Sequence, residues 1–241
     1  MRSLRIELQK EKRAGVIPLL TMAGVLGALY VYAGFEIRKD TLLKLPVAPM
    51  DVLLTQMYGM TMILNMFGMI VAACMIYGLE FKGNAVRKMY MLPVRVSTMY
   101  LCKFLILTVM LLLVVCLQNL VLAGIGVSDL PEGSFEFLVL LRFAGYSFIT
   151  SMPVLSFMLL IASRFENIWV PLGVGVAGFL TGMALVTWNL PGVWIHPFVA
   201  MLKPAVAMSA QPDGRTIGIA LAETAGFFGT GLWMSEKLRY E

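Results

Sequence analysis

Long runs of residues without a charge alternate with short polar segments along almost the whole chain. The runs fall at 15–35, 52–79, 104–127, 138–162, 167–187 and 216–233. The apolar residues come in blocks rather than in a periodic scatter, and a block of about 18 or more is a membrane-span candidate. Backbone amides cannot stay unpaired in hydrocarbon, so each block predicts a helix. The second block runs 28 residues without a charge. It exceeds the ~20 residues a span needs, which predicts a tilted helix or interfacial first turns. The fourth carries Arg142 in its first turns. The last is the weakest, with four Gly and the acid Glu223. A carboxylate in mid-membrane costs roughly 2.5–3.5 kcal/mol on insertion scales, so this helix depends on neighbours. Small residues recur at four-residue spacing there, at Gly218, Ala222 and Gly226, and in the fifth block at Gly178 and Gly182. Such spacing lets another helix approach closely.

The polar segments carry the orientation. Residues 1–13 hold Arg2, Arg5, Lys10, Lys12 and Arg13, with Leu4 and Leu8 on one helical face. They predict an amphipathic helix lying on the membrane surface. With the N-terminus inside, 13 of the 19 Lys and Arg lie on the inner side and 6 on the outer. The positive-inside rule therefore places both termini in the cytoplasm. The first 33 residues mimic a signal peptide, but the apolar run from Ala14 to Phe35 is too long for a typical signal core and reads as an anchor. The expected fold is an all-α integral membrane protein, one transmembrane domain over residues 1–241. It has six spans, an interfacial helix, a cytoplasmic loop at 80–103 and an outer segment at 188–215.

Composition agrees. Hydrophobic residues make up 59% and charged ones 14%, well below the ~25% of a soluble domain. The net charge of +5 sits in clusters beside apolar blocks, which speaks for membrane topology rather than nucleic acid. Three cysteines and one histidine, His196, offer no disulfide framework and no His-pair zinc site. Neither a G-x-x-x-x-G-K-[ST] phosphate loop nor a G-x-S-x-G elbow is present, so no enzyme is expected. A membrane-embedded lipid enzyme would need a polar cluster at one depth, and Asn65, Gln118, Asn119 and Glu223 are scattered. An ATP-independent carrier often shows paired, interrupted helices, and no internal repeat stands out. For Glu223, about seven residues inside its span, the sequence offers two fates. It pairs with Arg142, or each snorkels to the outer interface.

The inner loop reads Glu80-Phe81-Lys82-Gly83-Asn84-Ala85-Val86-Arg87-Lys88-Met89-Tyr90-Met91-Leu92-Pro93. Asn84 can cap a helix, Ala85, Met89 and Leu92 share a face, Arg87 and Lys88 point elsewhere, and Pro93 stops the run. Ser97 or Thr98 can cap the helix that follows. The result is a short amphipathic helix between two spans, or equally a positive-inside anchor loop.

With a basic helix before the first span, Glu80-Phe81, Gly83-Asn84, then Leu92-Pro93 before Arg95, the chain resembles permease subunits of type-2 ATP-binding-cassette (ABC) exporters. The resemblance implies that Asn84–Pro93 is a coupling helix seated in a separate ATPase subunit. It also implies two such ATPases, a second permease, identical or related, and ATP and Mg used by the partner rather than bound here. It implies short outer helices in a stretch broken by Pro191, Pro197, Pro204 and Pro212. The opening Arg5-Ile6-Glu7-Leu8-Gln9-Lys10-Glu11-Lys12-Arg13 is similar to lantibiotic-immunity and bacitracin-type permeases. That similarity implies an amphipathic peptide antibiotic as cargo and a bacterial plasma membrane as location. A lipid or a small drug is the alternative cargo.

Overall fold

The computed structural model describes residues 2–42, 44–81, 96–131, 133–188, 192–207 and 209–237. Among them the regular structure is helical throughout. The elements in chain order are α1 (Arg2–Ala14), α2 (Val16–Leu42), α3 (Pro49–Phe81), α4 (Val96–Ser128), α5 (Phe137–Ala162), α6 (Trp169–Leu185), α7 (Pro197–Val206) and α8 (Gly214–Lys237). Five of these, α2, α3, α4, α5 and α8, are long and apolar enough to cross a bilayer. The fifth expected span, 167–187, corresponds to α6, whose 17 residues fall short of that length.

α3 forms the centre. It packs against α2, α4, α5, α6 and α7, and buries Leu53, Leu54, Met57, Met66, Met69 and Ile70 almost completely. Lipid tails are as apolar as these side chains, so the gain here comes from close packing and buried hydrogen bonds. One such bond pair lies between α3 and α4. The Asn65 amide donates to Gln118 Oε1 (2.9 Å) and the Gln118 amide donates to Asn65 Oδ1 (2.8 Å), both buried. Each amide satisfies the other where water cannot. Gly27 of α2 lies directly on the Gln118 amide, with no room for a side chain.

The helices overrun the charge-free blocks. α2 continues seven residues beyond the first block, through Glu36, Arg38, Lys39 and Asp40. Lys39 there pairs with Asp129, just past the end of α4. α4 begins at Val96, eight residues before Phe104, so Ser97 and Thr98 lie inside the helix rather than capping it, and Cys102 and Lys103 belong to it rather than to a loop. α8 begins at Gly214 because Asp213 caps it. Its carboxylate accepts the Thr216 hydroxyl (2.6 Å) and the Arg215 N–H (3.1 Å). Asp51, at the start of α3, accepts the Ala210 N–H at 2.9 Å and fixes the segment leading to that cap.

The segment before α8 differs from the expected broken outer stretch. Pro197 starts α7, but Pro204 lies inside it. Phe198, Val199, Ala200, Met201 and Leu202 are all buried, so the helix is inserted among α3, α5, α6 and α8. Gly178 and Gly182 of α6 make this possible, since Phe198 and Leu202 occupy the space a side chain would take. Gly218 and Gly226 of α8 have open space where a side chain would stand, with nothing within 4 Å among the described residues, and they face outward with Ala222. The same four-residue spacing thus serves packing in one helix and lines an open face in the other.

Candidate functional site

α1 and α2 meet at Gly15, whose φ of +81° lies in the left-handed region that glycine adopts without strain. The turn folds α1 back across the end of the bundle where α3 finishes and α4 begins. α1 packs there against α2, α3 and α4. Leu4 and Leu8 share a face and point outward, while Glu7 and Glu11 point into the protein, each 1% exposed.

Those two acids meet Lys103 of α4, also 1% exposed, and Glu80 of α3. The Lys103 ammonium donates to Glu7 Oε2 at 2.8 Å. It lies 2.8 Å from Glu80 Oε1 and 3.5 Å from Glu11 Oε1. It also stands 5.4 Å from the centre of the Tyr77 ring, a cation–π contact. Lys10, one turn along α1, donates to the other oxygen of Glu7 at 2.6 Å. A charge out of water is tolerated only when paired and hydrogen-bonded. Here one buried ammonium is shared by three carboxylates from two other helices. Burial alone would raise the Glu7 carboxyl, but Lys103 and the hydrogen bonds from Lys10 and Lys103 hold it below its ordinary range. Glu11 is different. Burial pushes it up to about 7, the charges of Glu7 and Glu80 add to that, and Lys103 only partly opposes them.

Glu80 lies two residues before segment 82–95 and Lys103 eight residues after it. The cluster therefore ties α1 to both roots of the basic loop. A groove of about 420 Å³ opens beside the first root, walled by Leu79, Phe81, Ile168 and Trp169 with Glu166 at its rim. A smaller pocket, about 160 Å³, lies at the far end of the bundle. There Lys203 stacks on Trp194 opposite Trp188.

The expected site residues divide as follows. Glu80 is in the cluster. Asn84, Ala85, Arg87, Lys88, Met89, Leu92 and Pro93 lie outside the described residues. Arg142 is exposed near the start of α5, and Glu223 faces the packed side of α8 with neither carboxylate oxygen hydrogen-bonded. The direct Glu223–Arg142 pair is not formed. His196 precedes α7, with Nε2 3.3 Å from the Thr181 hydroxyl. Among the described residues no group of three His, Cys, Asp or Glu side chains is arranged to hold a metal. Glu7, Glu11 and Lys103 escaped the sequence reading. The available signals were two acids four residues apart in an otherwise basic helix, and a Lys directly against an apolar block.

A bundle of long apolar helices, with α1 packed across one end, defines a polytopic membrane protein. The family profile described as ABC-2 family transporter protein matches residues 3–182, from α1 into α6, and the chain belongs to that family. It is a transmembrane permease subunit of an ABC transporter, of a type that works with an ABC ATPase. No curated protein and no solved structure matches the chain.

Proposed function

We propose that this chain is the permease subunit of an ATP-driven exporter in a bacterial plasma membrane. Both termini lie in the cytoplasm, and α6 makes the short fifth of six crossings. At 1.5 Å per residue its 17 residues reach about 26 Å, near the ~30 Å of a hydrocarbon core. Two ATPase subunits and a second permease, identical or related, complete the complex. Segment 84–93 seats in the ATPase as a coupling helix, and ATP is consumed there rather than on this chain.

The observation that carries this reading is the Lys103 cluster. A buried ion network at the roots of a basic loop makes α1, α3 and α4 respond together to a push on that loop. An anchor loop serving topology alone has no use for such a network. The inner groove beside Phe81 and Trp169 and the likeness of residues 5–13 to immunity permeases favour an amphipathic peptide antibiotic as cargo.

Replacing Met89 or Leu92 by Asp tests the coupling face. The variants are expected to insert normally and to lose copurification with the ATPase, and normal copurification of both would refute the assignment. Deleting the gene is expected to sensitise cells to at least one peptide of a lantibiotic and bacitracin panel. Unchanged sensitivity would point to a lipid or a small drug instead.

A further inference from the structure

Three carboxylates face one ammonium in the cluster, and they are not equivalent. Glu7 has both oxygens engaged, one by Lys103 and one by Lys10. Glu80 Oε1 lies 2.8 Å from the ammonium, an ion-pair distance, though it too is buried without a hydrogen bond. Glu11 is the farthest, at 3.5 Å, and its second oxygen is buried without a hydrogen-bond partner. Lys10 is 37% exposed and engages Glu7 alone, so its screened charge does little for Glu11. Among the described residues, the other ionisable groups around the cluster are Tyr77 on α3, and Tyr100 and Cys102 on α4. Arg164, in the turn after α5, interacts electrostatically with both tyrosines. α2 presents no charged side chain before Glu36. Counted with all groups ionised, the buried set carries more negative than positive charge, and low-dielectric surroundings resist that.

We propose that Glu7, Glu11, Glu80 and Lys103 form a proton-binding latch. With a proton on Glu11, α1 docks across the roots of the loop, and loss of that proton to bulk water releases α1. The proton settles on Glu11 because its carboxylate stands farthest from the ammonium, 3.5 Å against 2.8 Å for the other two. Its O–H then gives the unpartnered oxygen a group that needs no cation. The latch would set how firmly α1 follows the loop, and in that consequence it rests on the coupling role proposed above.

The sign follows from the docked state binding the extra proton. Glu11 moves from an ordinary 4.5 to about 7 on docking. The Glu11 contribution to docking is therefore full below pH 4.5 and is lost as pH rises through about 7, by at most roughly 300-fold for a shift of that size, whereas Glu7, held low, contributes above its ordinary range and loses that only as pH falls below it. The test is hydrogen–deuterium exchange of the α1 amides, on the full permease chain in lipid nanodiscs from pH 5.5 to 8.5, corrected for intrinsic exchange. Protection of wild-type α1 is expected to fall across this range with a midpoint near 7. Glu11→Gln is expected to stay protected with no pH dependence. Glu80→Gln removes a like charge and frees Lys103 for Glu11, so its midpoint is expected to move to lower pH. Flat wild-type protection, a wild-type profile in Glu11→Gln, or an unmoved midpoint in Glu80→Gln would each overturn the latch. Should Glu11→Gln not fold, the other two curves decide. The ATPase takes no part in this measurement, so failure of the latch and failure of the coupling reading are separate results.

Discussion

Replacing Lys103 by Met removes the one buried cation of the cluster and keeps the unbranched stem of the side chain. Glu7, Glu11 and Glu80 are then left facing one another at 1%, 1% and 9% exposure, with only the half-exposed Lys10 nearby. Removing one partner of a buried ion pair typically costs about 3–5 kcal/mol, because the remaining charge stays uncompensated. Near-complete burial leaves little reason to discount that range for solvent screening. The cost falls on the docking of α1, which contributes two of the three acids. At 1.36 kcal/mol per factor of ten it corresponds to a loss of roughly two to more than three orders of magnitude in the docking equilibrium. α1 carries Arg2, Arg5, Lys10, Lys12 and Arg13, so trypsin reads the undocked population directly when opening is fast relative to cleavage. At pH 6.5, where Glu11 keeps its proton and wild-type α1 is docked, Lys103→Met is expected to be cut within α1 at least 100-fold faster than wild type. Lys103→Arg, which retains the charge, is expected to stay much closer to wild type. At pH 8 the gap is expected to narrow, because wild-type α1 is then released as well. A Lys103→Met cleavage rate within about threefold of wild type at pH 6.5 would refute the idea that the ion network holds α1.

Further expectations concern the membrane interior. Asn65→Leu or Gln118→Leu alone leaves the other amide unpaired among apolar side chains, for about 1–3 kcal/mol. The double replacement is expected to be far milder, and thermal unfolding of the three variants in one detergent checks this. Gly178→Leu drives a side chain into Phe198 and is expected to cost about 1–3 kcal/mol or displace α7, whereas Gly226→Leu points outward and is expected to change stability by less than about 0.5 kcal/mol. Glu223→Gln removes a carboxylate that has no hydrogen-bond partner among the described residues, so melting is expected at the same or a higher temperature. A clear drop would mean that the carboxylate is held after all.

Five of the six expected spans appear as long helices, because an apolar run of span length has few soluble uses, while the run at 167–187 is the shorter α6. The helix ends were not legible. Charged residues can continue a helix past its apolar run, as Glu36–Leu42 do in α2, and polar and charged ones can precede the run within the helix, as Ser97, Thr98 and Lys103 do in α4. A boundary drawn at the last charge therefore put Lys103 in a loop, when it is a buried residue of α4. The cluster was hidden for a different reason. Lys103 and Glu7 stand 96 residues apart, and nothing local shows that the acids of an amphipathic helix face the protein while its leucines face outward. Glu80 was found only through its place in a family motif. Spacing alone also failed to separate Gly178 and Gly182, which seat α7, from Gly218 and Gly226, which seat nothing within the chain. Arg142 and Glu223 were matched by depth, but depth does not fix the face of a helix.

The central claim is that this chain is driven by a separate ATPase bound at the end where α1, Glu80 and Lys103 meet. Native mass spectrometry of the complex purified through this chain tests it most directly. The account predicts a species with two permease and two ATPase subunits, which loses the ATPases when Met89 or Leu92 becomes Asp. A chain that purifies free of any nucleotide-binding subunit, yet still supports transport in liposomes without ATP, would contradict it.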